Sequence, residues 1–491
     1  MTVVHRVLPP EPVVDLADHL RRRGGEGLAR ARQLTPDELI AEVAQSGLRG
    51  RGGAGFPTGI KWRTVRDYAS STAHTSVVVN AAEGEPGTFK DRTLLRMNPY
   101  EVIEGALIAA RAVGADQVAF GLKASFGPEL ARLRTAIAEV TDAGWAEGVE
   151  LDVFEGPNEY LYGEETALLE TLDGRYPFPR LAPPYRRGLH EVVETSRDVG
   201  TGSNLSAHVE MAGPGGEAPP TLVDNTETLA NIPRIIARGA AWFRTEGTEQ
   251  SPGTIVCTVT GSTDHHGVAE VQMGTPLREV IDVIGGGPRP GRRITAVLSG
   301  VSNALIPASQ LDTPVTYEDL AAIGSGLGSA GFVVFDDTDD LVAAVAGVSR
   351  FLAVESCGQC TPCKQDGLAL AGLLEAVSRS TAGEREMDEI RRRLDSVAYG
   401  ARCFLATQQQ VVVTSLLDRY PEALAGHLDG SAPGVAPTEV AEMVDLIEGQ
   451  ATIDERHRHK QPDWSYDEVD SGQSPADRFD EHRSPEPLPE G

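Results

Sequence analysis

The sequence predicts an α/β protein made of three successive folded regions, on three observations. Short apolar, strand-like runs alternate with amphipathic helical segments as far as about residue 245, the pattern of a βα sheet domain. From Gly253 the texture changes to short β-like runs separated by turns, and from Thr338 it becomes helical again around clustered cysteines. With 491 residues, 40% of them hydrophobic, the chain can fill several cores at roughly 100–200 residues per domain.

The first element after an N-terminal extension is a helix signalled by Thr35-Pro36-Asp37-Glu38. Thr35 is the N-cap, Pro36 takes N1, Glu38 closes a capping box, and Leu39, Ile40 and Val43 share one face. This helix leads into GLRGRGGAGFPTGIKW, residues 47–62. Ser76–Asn80 then reads as a short buried strand that breaks into an acidic turn with Glu83, Glu85 and Pro86. A helix over Tyr100–Val113, a strand in QVAFGL, a helix over Glu129–Val140 and a strand over Val149–Phe154 follow.

In the second region GTIVCTVTG, GVAEVQM, RRITAVLSG and GFVVFDD read as strands and LREVIDVI as its one helix. The third contains the helical stretches LVAAVAGVSRFLAVES and EREMDEIRRRLDSVAYGARC. Beyond Asp429, Pro, Gly, Ser and acidic residues accumulate with little apolar content, which predicts a largely disordered acidic tail, residues 429–491. Within it only a short helix at Glu439–Glu448 is expected, and His457 and His459 read as solvated.

The formal charge of −28 excludes nucleic acid and anionic membrane surfaces as natural partners, since both are polyanions. No apolar run approaches the ~20 residues that span a bilayer. Prolines and acids interrupt Met1–Leu20 where a signal peptide needs an apolar core, so a cytoplasmic location without direct membrane insertion is expected.

Four of the five cysteines form a constellation: Cys357, Cys360 and Cys363 in C-G-Q-C-T-P-C, and Cys403 downstream. Such C-x2-C-x2-C spacing lets three thiolates wrap one corner of a cubane, with a distant cysteine for the fourth iron. A zinc ion held by all four cysteines is the alternative, although such sites favour two C-x2-C pairs. Gly358 is expected to relieve crowding near the metal and Pro362 to stiffen the loop. Cys257, alone in TIVCTVTG, reads as a core residue.

The glycine loop matches neither a P-loop nor a clean G-x-G-x-x-G, and a purely structural role stands beside a ligand-binding one. Arg51 and Lys61 favour the second, because they can neutralise a phosphate held by exposed backbone N–H groups. Asn80–Glu85, Tyr160–Thr166 and Asp224–Thr228 are also dense in polar groups. There Glu164 or Glu165 are either helix N-caps or ligands of cofactor hydroxyls.

Taken together, GRGGAGFPTGIKW, NAAEGEPGTFKDR, YGEETALLE, PTLVDNTETLANIPRI, GSGLG and ESCGQCTPC resemble the NADH-binding flavoprotein subunit of respiratory complex I and its relatives in NAD-linked hydrogenases and formate dehydrogenases, over roughly residues 35–425. The resemblance implies an FMN- and NADH-binding α/β domain (35–250), a β-grasp-like domain of the SLBB type (251–337) and a helical bundle (338–428) carrying a [4Fe–4S] cluster on Cys357, Cys360, Cys363 and Cys403. It implies an FMN site at Gly50, Arg51, Gly52, Gly53, Lys61, Asn80, Glu83, Tyr160, Gly163, Glu164, Asp224, Asn225 and Thr228. NADH would meet Phe56, Lys61, Glu85, Glu165 and Tyr185, with Glu85 and Glu165 as the catalytic-site carboxylates. The implied chemistry is hydride transfer from NADH to FMN, then single electrons to the cluster and on to an iron–sulfur redox partner, ferredoxin-like or of the complex I peripheral arm. Such a partner would hold the chain at the inner face of the membrane. Glu165 would stand near the adenosine ribose and repel the extra phosphate of NADPH.

Departures from the family pattern fall mainly on the nucleotide side. Ala82 replaces an acid, Ala182 a lysine, Tyr162 a cysteine and Asp224 an asparagine; Pro157-Asn158-Glu159 replaces a small G-A-G; and residues 186–219 expand a short link. Two other readings therefore stand beside NADH oxidation: an FMN/[4Fe–4S] electron-transfer protein with a different donor, and a non-redox interaction protein derived from this family.

Overall fold

The computed structural model describes residues 3–69, 74–188 and 220–479. Most of the expanded segment, residues 189–219, lies outside the described residues.

The first domain is a four-stranded parallel sheet of β1 (Ser76–Asn80), β2 (Gln117–Lys123), β3 (Glu150–Gly156) and β4 (Thr221–Asn225), in the order β3-β2-β1-β4. The three valines of β1 are fully buried, as expected of a parallel strand covered on both faces. The strand order reverses between β1 and β4, whose register sets Asn80 beside Asn225 and Val79 beside Asp224. A crevice at the carboxyl ends of parallel strands, where the order reverses, is the usual ligand position in such sheets.

Helix Pro99–Val113 is buried almost all round and crosses helix Thr226–Arg238 so closely that a Cβ on Gly105 would lie 2.0 Å from the Leu229 carbonyl oxygen. The N-terminal extension docks on this body. Buried Glu104 accepts the N–H groups of Gly25 and Leu28, both at 2.8 Å, and so caps the helix Glu26–Ala31, which has no side-chain cap of its own. Glu270 of the second domain takes the N–H groups of Arg6, Val7 and Leu8 at 2.8–3.0 Å.

The second domain is a mixed sheet of β5 (Thr254–Gly261), β6 (Gly267–Gln272), β7 (Ile294–Ser299), β8 (Ile306–Pro307) and β9 (Gly331–Asp336), in the order β6-β5-β9-β7-β8. Helix Leu277–Gly285 packs on it. A second helix, Tyr317–Ala322, departs from the single one expected; its signal was short but present, since Thr316 caps it by accepting from Asp319 N. Cys257 is buried in this core.

The third domain packs helices Leu341–Glu355, Thr361–Ser378, Glu384–Ser396, Leu405–Arg419 and Pro421–Leu428 around one apolar core. His427 joins Asp340 at 2.9 Å and Ser380 at 3.0 Å. This chain of side chains ties the start of the first of these helices to the last, and the hydroxyl is shared with the Ala432 carbonyl at 3.3 Å.

The tail expectation is corrected as far as Phe479. Residues Glu439–Glu448 do not form a helix: Met443–Ile447 (β10) pairs with Gln450–Ile453 (β11) in a hairpin. Its polar groups have distant partners, which composition cannot reveal. Lys123 pairs with Glu442 at 2.6 Å, Arg92 donates to the Met443 carbonyl at 2.6 Å, and Arg96 pairs with Asp445 at 2.7 Å. His457, expected to be solvated, is buried.

Candidate functional site

The six glycines of residues 47–59 divide by task. Gly47 ends the helix Pro36–Ser46 in the left-handed conformation, and Gly59 lets two helices touch, since its Cβ would fall 2.5 Å from Ala44 Cα. Gly50 and Gly53 form the open part, and Gly52 lets the loop approach Asn225, since its Cβ would fall 3.1 Å from Asn225 Cβ. At Gly53, with φ of 128°, a Cβ would meet only Gly328 of GSGLG, at 3.9 Å. The backbone N–H groups of Gly52, Gly53 and Ala54 meet no acceptor among the described residues. Adjacent unpaired N–H groups with free space before them fit an anion, so this loop fits the phosphate of FMN.

The two basic residues part company. The Arg51 guanidinium is 1% exposed and donates to the carbonyls of Arg49, Pro252 and Thr254 and to Tyr317 Oη. It joins the first domain to the second, its Nε has no hydrogen-bond partner among the described residues, and its N–H is held by Thr228 Oγ1 at 2.8 Å. Lys61 keeps its ammonium for the site, 2.9 Å from Glu165 and 4.0 Å from Asp224. Burial works against its charge, but Glu165, Asp224 and Glu164 outweigh that and hold its pKa above the ordinary lysine value.

Around the loop the strand ends supply polar groups. Asn80 Nδ2 donates to the Gly163 carbonyl at 2.8 Å. Asn225 caps its helix by accepting from Glu227 N at 3.0 Å and donates to Asp91 at 2.7 Å. Glu83 is buried against Arg92 at 3.2 Å and accepts from Asp91 N; burial and then Asp91 push its pKa up. Glu164 is the N-cap of helix Glu165–Leu172, accepting from Thr166 N and Ala167 N, which is the local alternative its position allowed. Asp224 accepts from the Trp62 indole at 2.7 Å, and its burial lifts its pKa to about 6 despite Lys61.

Tyr162 is accommodated by glycine: a Cβ on Gly156 would lie 2.1 Å from its ring, and its hydroxyl has no hydrogen-bond partner among the described residues. Ala82 lies with it in a small apolar cluster.

Glu85 reaches the second domain. It accepts from Val301 N at 2.8 Å, Ser302 Oγ at 3.0 Å and Tyr160 Oη at 2.5 Å. Gln408, which sequence reading missed, donates to the same Tyr160 hydroxyl at 3.0 Å. Of the nucleotide positions, Phe56 is 52% exposed in the glycine loop and Glu165 stands at Lys61. Tyr185 is set apart: its ring packs on Tyr68 with centroids 5.1 Å away, seven residues and about 10 Å along the helix from Lys61 at 1.5 Å per residue. Its neighbour Pro184 accepts from Thr221 N at the start of β4, the end opposite Asn225.

Cys357, Cys360, Cys363 and Cys403 line a single cavity with Leu161, Pro179 and Leu405. The three-plus-one spacing of these cysteines departs from the two C-x2-C pairs that tetrahedral zinc sites favour. Four thiols spread around a cavity wall fit the larger [4Fe–4S] cluster. Burial raises the thiol pKa values of Cys357 and Cys403, and that of Cys363 to about 11. Loading metal therefore releases protons. Gln359 Nε2 stands 3.5 Å from Cys357 Sγ and Ser356 Oγ 3.3 Å from Cys363 Sγ, contacts of the kind that tune a cluster.

Residues 43–234 match the Nuo51 FMN-binding domain, and residues 343–427 match the NADH-ubiquinone oxidoreductase-F iron-sulfur binding region. The F subunit of the NADH-quinone oxidoreductase of Streptomyces coelicolor is 35% identical, over 88% of this chain and 92% of its own. The corresponding F 2 subunit of Rhizobium meliloti is 38% identical, over 73% of this chain and 80% of its own. The HndC subunit of the NADP-reducing hydrogenase of Solidesulfovibrio fructosivorans is 34% identical over 84% and 80%. Among solved structures, an NAD+-reducing [NiFe]-hydrogenase in the H2-reduced state superposes with a TM-score of 0.71 at 32% identity, covering 87% of this chain and 68% of that one. The chain belongs to the family of NADH-quinone oxidoreductase F subunits, with its FMN-binding and iron–sulfur-binding regions in the family's order.

Proposed function

We propose that this chain is the NADH-oxidising, electron-entry subunit of a larger redox assembly. Its flavin site would be formed by Gly50, Gly52, Gly53, Lys61, Asn80, Asn225 and Thr228, and its cluster site by Cys357, Cys360, Cys363 and Cys403. FMN, when bound, supplies the exchange between a two-electron donor and one-electron acceptors.

One observation supports the pairing of the two sites above all. The 3-10 turn Tyr160–Gly163 touches both: its Gly163 carbonyl takes Asn80 at the strand ends, while its Leu161 lines the cysteine cavity. Tyr160 holds the turn in place, with its N–H on Glu355 at 3.0 Å and its hydroxyl between Glu85 and Gln408. The chain's own residues thus do positional work. Exposed backbone N–H groups and Lys61 hold a phosphate, and Glu165 beside Lys61 disfavours a further anionic group.

The partner is an iron–sulfur subunit, ferredoxin-like or of a peripheral arm, that docks where Tyr399 and Phe404 stand 80% and 60% exposed around the Cys403 ligand. No helix among the described residues is long and apolar enough to cross a membrane; the proposed setting is cytoplasmic, with membrane attachment through partner subunits. A second reading, in which flavin and cluster are kept and the donor is another redox protein, rests on the altered positions Ala82 and Ala182 and the expanded residues 186–219.

The test is anaerobic addition of stoichiometric NADH, and separately NADPH, to protein carrying FMN and cluster. Flavin bleaching by NADH together with a reduced-cluster paramagnetic signal is expected. An oxidised flavin that only dithionite reduces would refute NADH as donor and favour the second reading.

A further inference from the structure

The segment predicted to be a free tail lies across the cysteine loop. Lys460 Nζ and His457 Nε2 both reach Glu355 Oε1, at 2.7 and 3.0 Å, at the end of the helix that precedes Cys357. The Trp464 indole donates to the Val354 carbonyl at 3.0 Å, and Lys364, next to Cys363, donates to the Pro462 carbonyl at 2.6 Å.

Farther on, Ala476 N–H donates to the Cys357 carbonyl at 2.8 Å. Gly358 has φ of 84°, and a Cβ there would fall 2.3 Å from Ser474 Cβ. The C-terminal segment therefore crowds this glycine, and a side chain there would displace Ser474. Phe479 stacks on Tyr176 with centroids 4.3 Å apart, and Phe178 links Tyr176 to Trp464, 5.8 Å from each. The same Tyr176–Arg180 stretch supplies Pro179, which lines the cysteine cavity and accepts from Gln359 at 3.1 Å.

The geometry points to residues 455–479 as a brace of the cluster site, packed on the cysteine loop from outside the cavity lining, with Ala476 and Ser474 as positioning residues that fix the Cys357–Cys360 turn and cover its outer side. The anchors are distributed along the segment: an ion-pair group at its start, an indole in the middle, and a backbone hydrogen bond with an aromatic stack at its end. Hydrogen bonding and solvent exposure around the ligating cysteines govern both the lability and the potential of such clusters. This segment controls both for the turn that carries two of the four ligands. The inference rests on Cys357, Cys360, Cys363 and Cys403 being the cluster ligands.

The test uses the full chain loaded with FMN and cluster, with Ala476→Pro and Phe479→Ala as variants. Proline is tolerated in a first helical turn, so Ala476→Pro removes the N–H donor without requiring the domain to unfold; Phe479→Ala removes the stack. The readouts are the rate at which bipyridyl bleaches the cluster and the paramagnetic spectrum of the dithionite-reduced protein. Bleaching about tenfold faster in both variants, the equivalent of one net hydrogen bond, with a changed spectrum and unchanged flavin content, is expected. Bleaching within twofold of the unsubstituted chain in both would overturn the bracing role. Iron analysis of the unsubstituted protein separates the two failures: a chain that takes up no iron refutes the ligand assignment, whereas a loaded chain whose variants bleach alike refutes only the bracing role.

Discussion

Asp224→Asn is expected to stabilise the protein at neutral pH, although it removes a carboxylate facing a lysine. Asp224 is 5% exposed, with Trp62 Nε1 at 2.7 Å and Lys61 Nζ no nearer than 4.0 Å. Burial lifts its pKa from 3.8 to about 6, so the folded state binds this proton more tightly than the unfolded one. Its contribution to stability is therefore complete below the unfolded pKa and is lost as pH rises through 6. At about 1.4 kcal/mol per pH unit, the charged form costs about 3 kcal/mol at pH 7.5 and about half of that at pH 5. Asparagine keeps an oxygen for the Trp62 indole and carries no charge, so it recovers most of this difference.

Thermal unfolding of flavin-free protein followed between pH 5 and 8 measures the effect. For a domain of this size about 3 kcal/mol corresponds to roughly 6–12 °C in the transition of the flavin domain. The gain should shrink steadily towards pH 5. A gain independent of pH, or a loss at pH 7.5, would refute the assignment of a destabilising buried charge. The same substitution removes a negative group beside Lys61, and FMN titrations at pH 7.5 should tighten several-fold, by about 1 kcal/mol.

Three further outcomes are expected. Lys61→Met should weaken FMN binding by about 2 kcal/mol, the scale of a charge-assisted hydrogen bond, as read by quenching of flavin fluorescence on binding; an unchanged affinity would show that the glycine loop alone holds the phosphate. Glu165→Gln should raise the ratio of kcat/KM for NADPH over NADH about tenfold, or about 1.4 kcal/mol, since its half-exposed carboxylate is partly screened; an unmoved ratio sets Glu165 away from the ribose. Cys403→Ser should lose the cluster while keeping FMN, seen as iron content falling at constant flavin, and full iron content in this variant would remove Cys403 from the ligand set.

Much of the architecture was legible in the sequence because its signals are local. Thr35 and Glu38 do form the capping box, and β1, β2, β5, β6, β7 and β9 lie where short apolar runs stand between turns. Cysteine spacing is likewise a local constraint, and the structure gathers those four thiols around one cavity. The glycine loop announced that a backbone had to be approached closely, although only part of it faces open space.

What the sequence could not decide was where charged groups find their partners, because those partners lie hundreds of residues away. Arg51 and Lys61 look alike as basic residues in a glycine loop. One is taken up by Pro252, Thr254 and Tyr317 of the next domain and the other stays at the strand ends. The same reason accounts for the C-terminal segment. Its own apolar content is too low to form a core, so composition predicts disorder; yet Lys123, Arg92, Arg96, Glu355 and Lys364 await its groups in the first and third domains. Local periodicity determined the elements and the cysteine pattern by itself. Only the tertiary structure decided which buried charges are paired, because the cost of burying a charge is met by whatever opposite group the fold brings near.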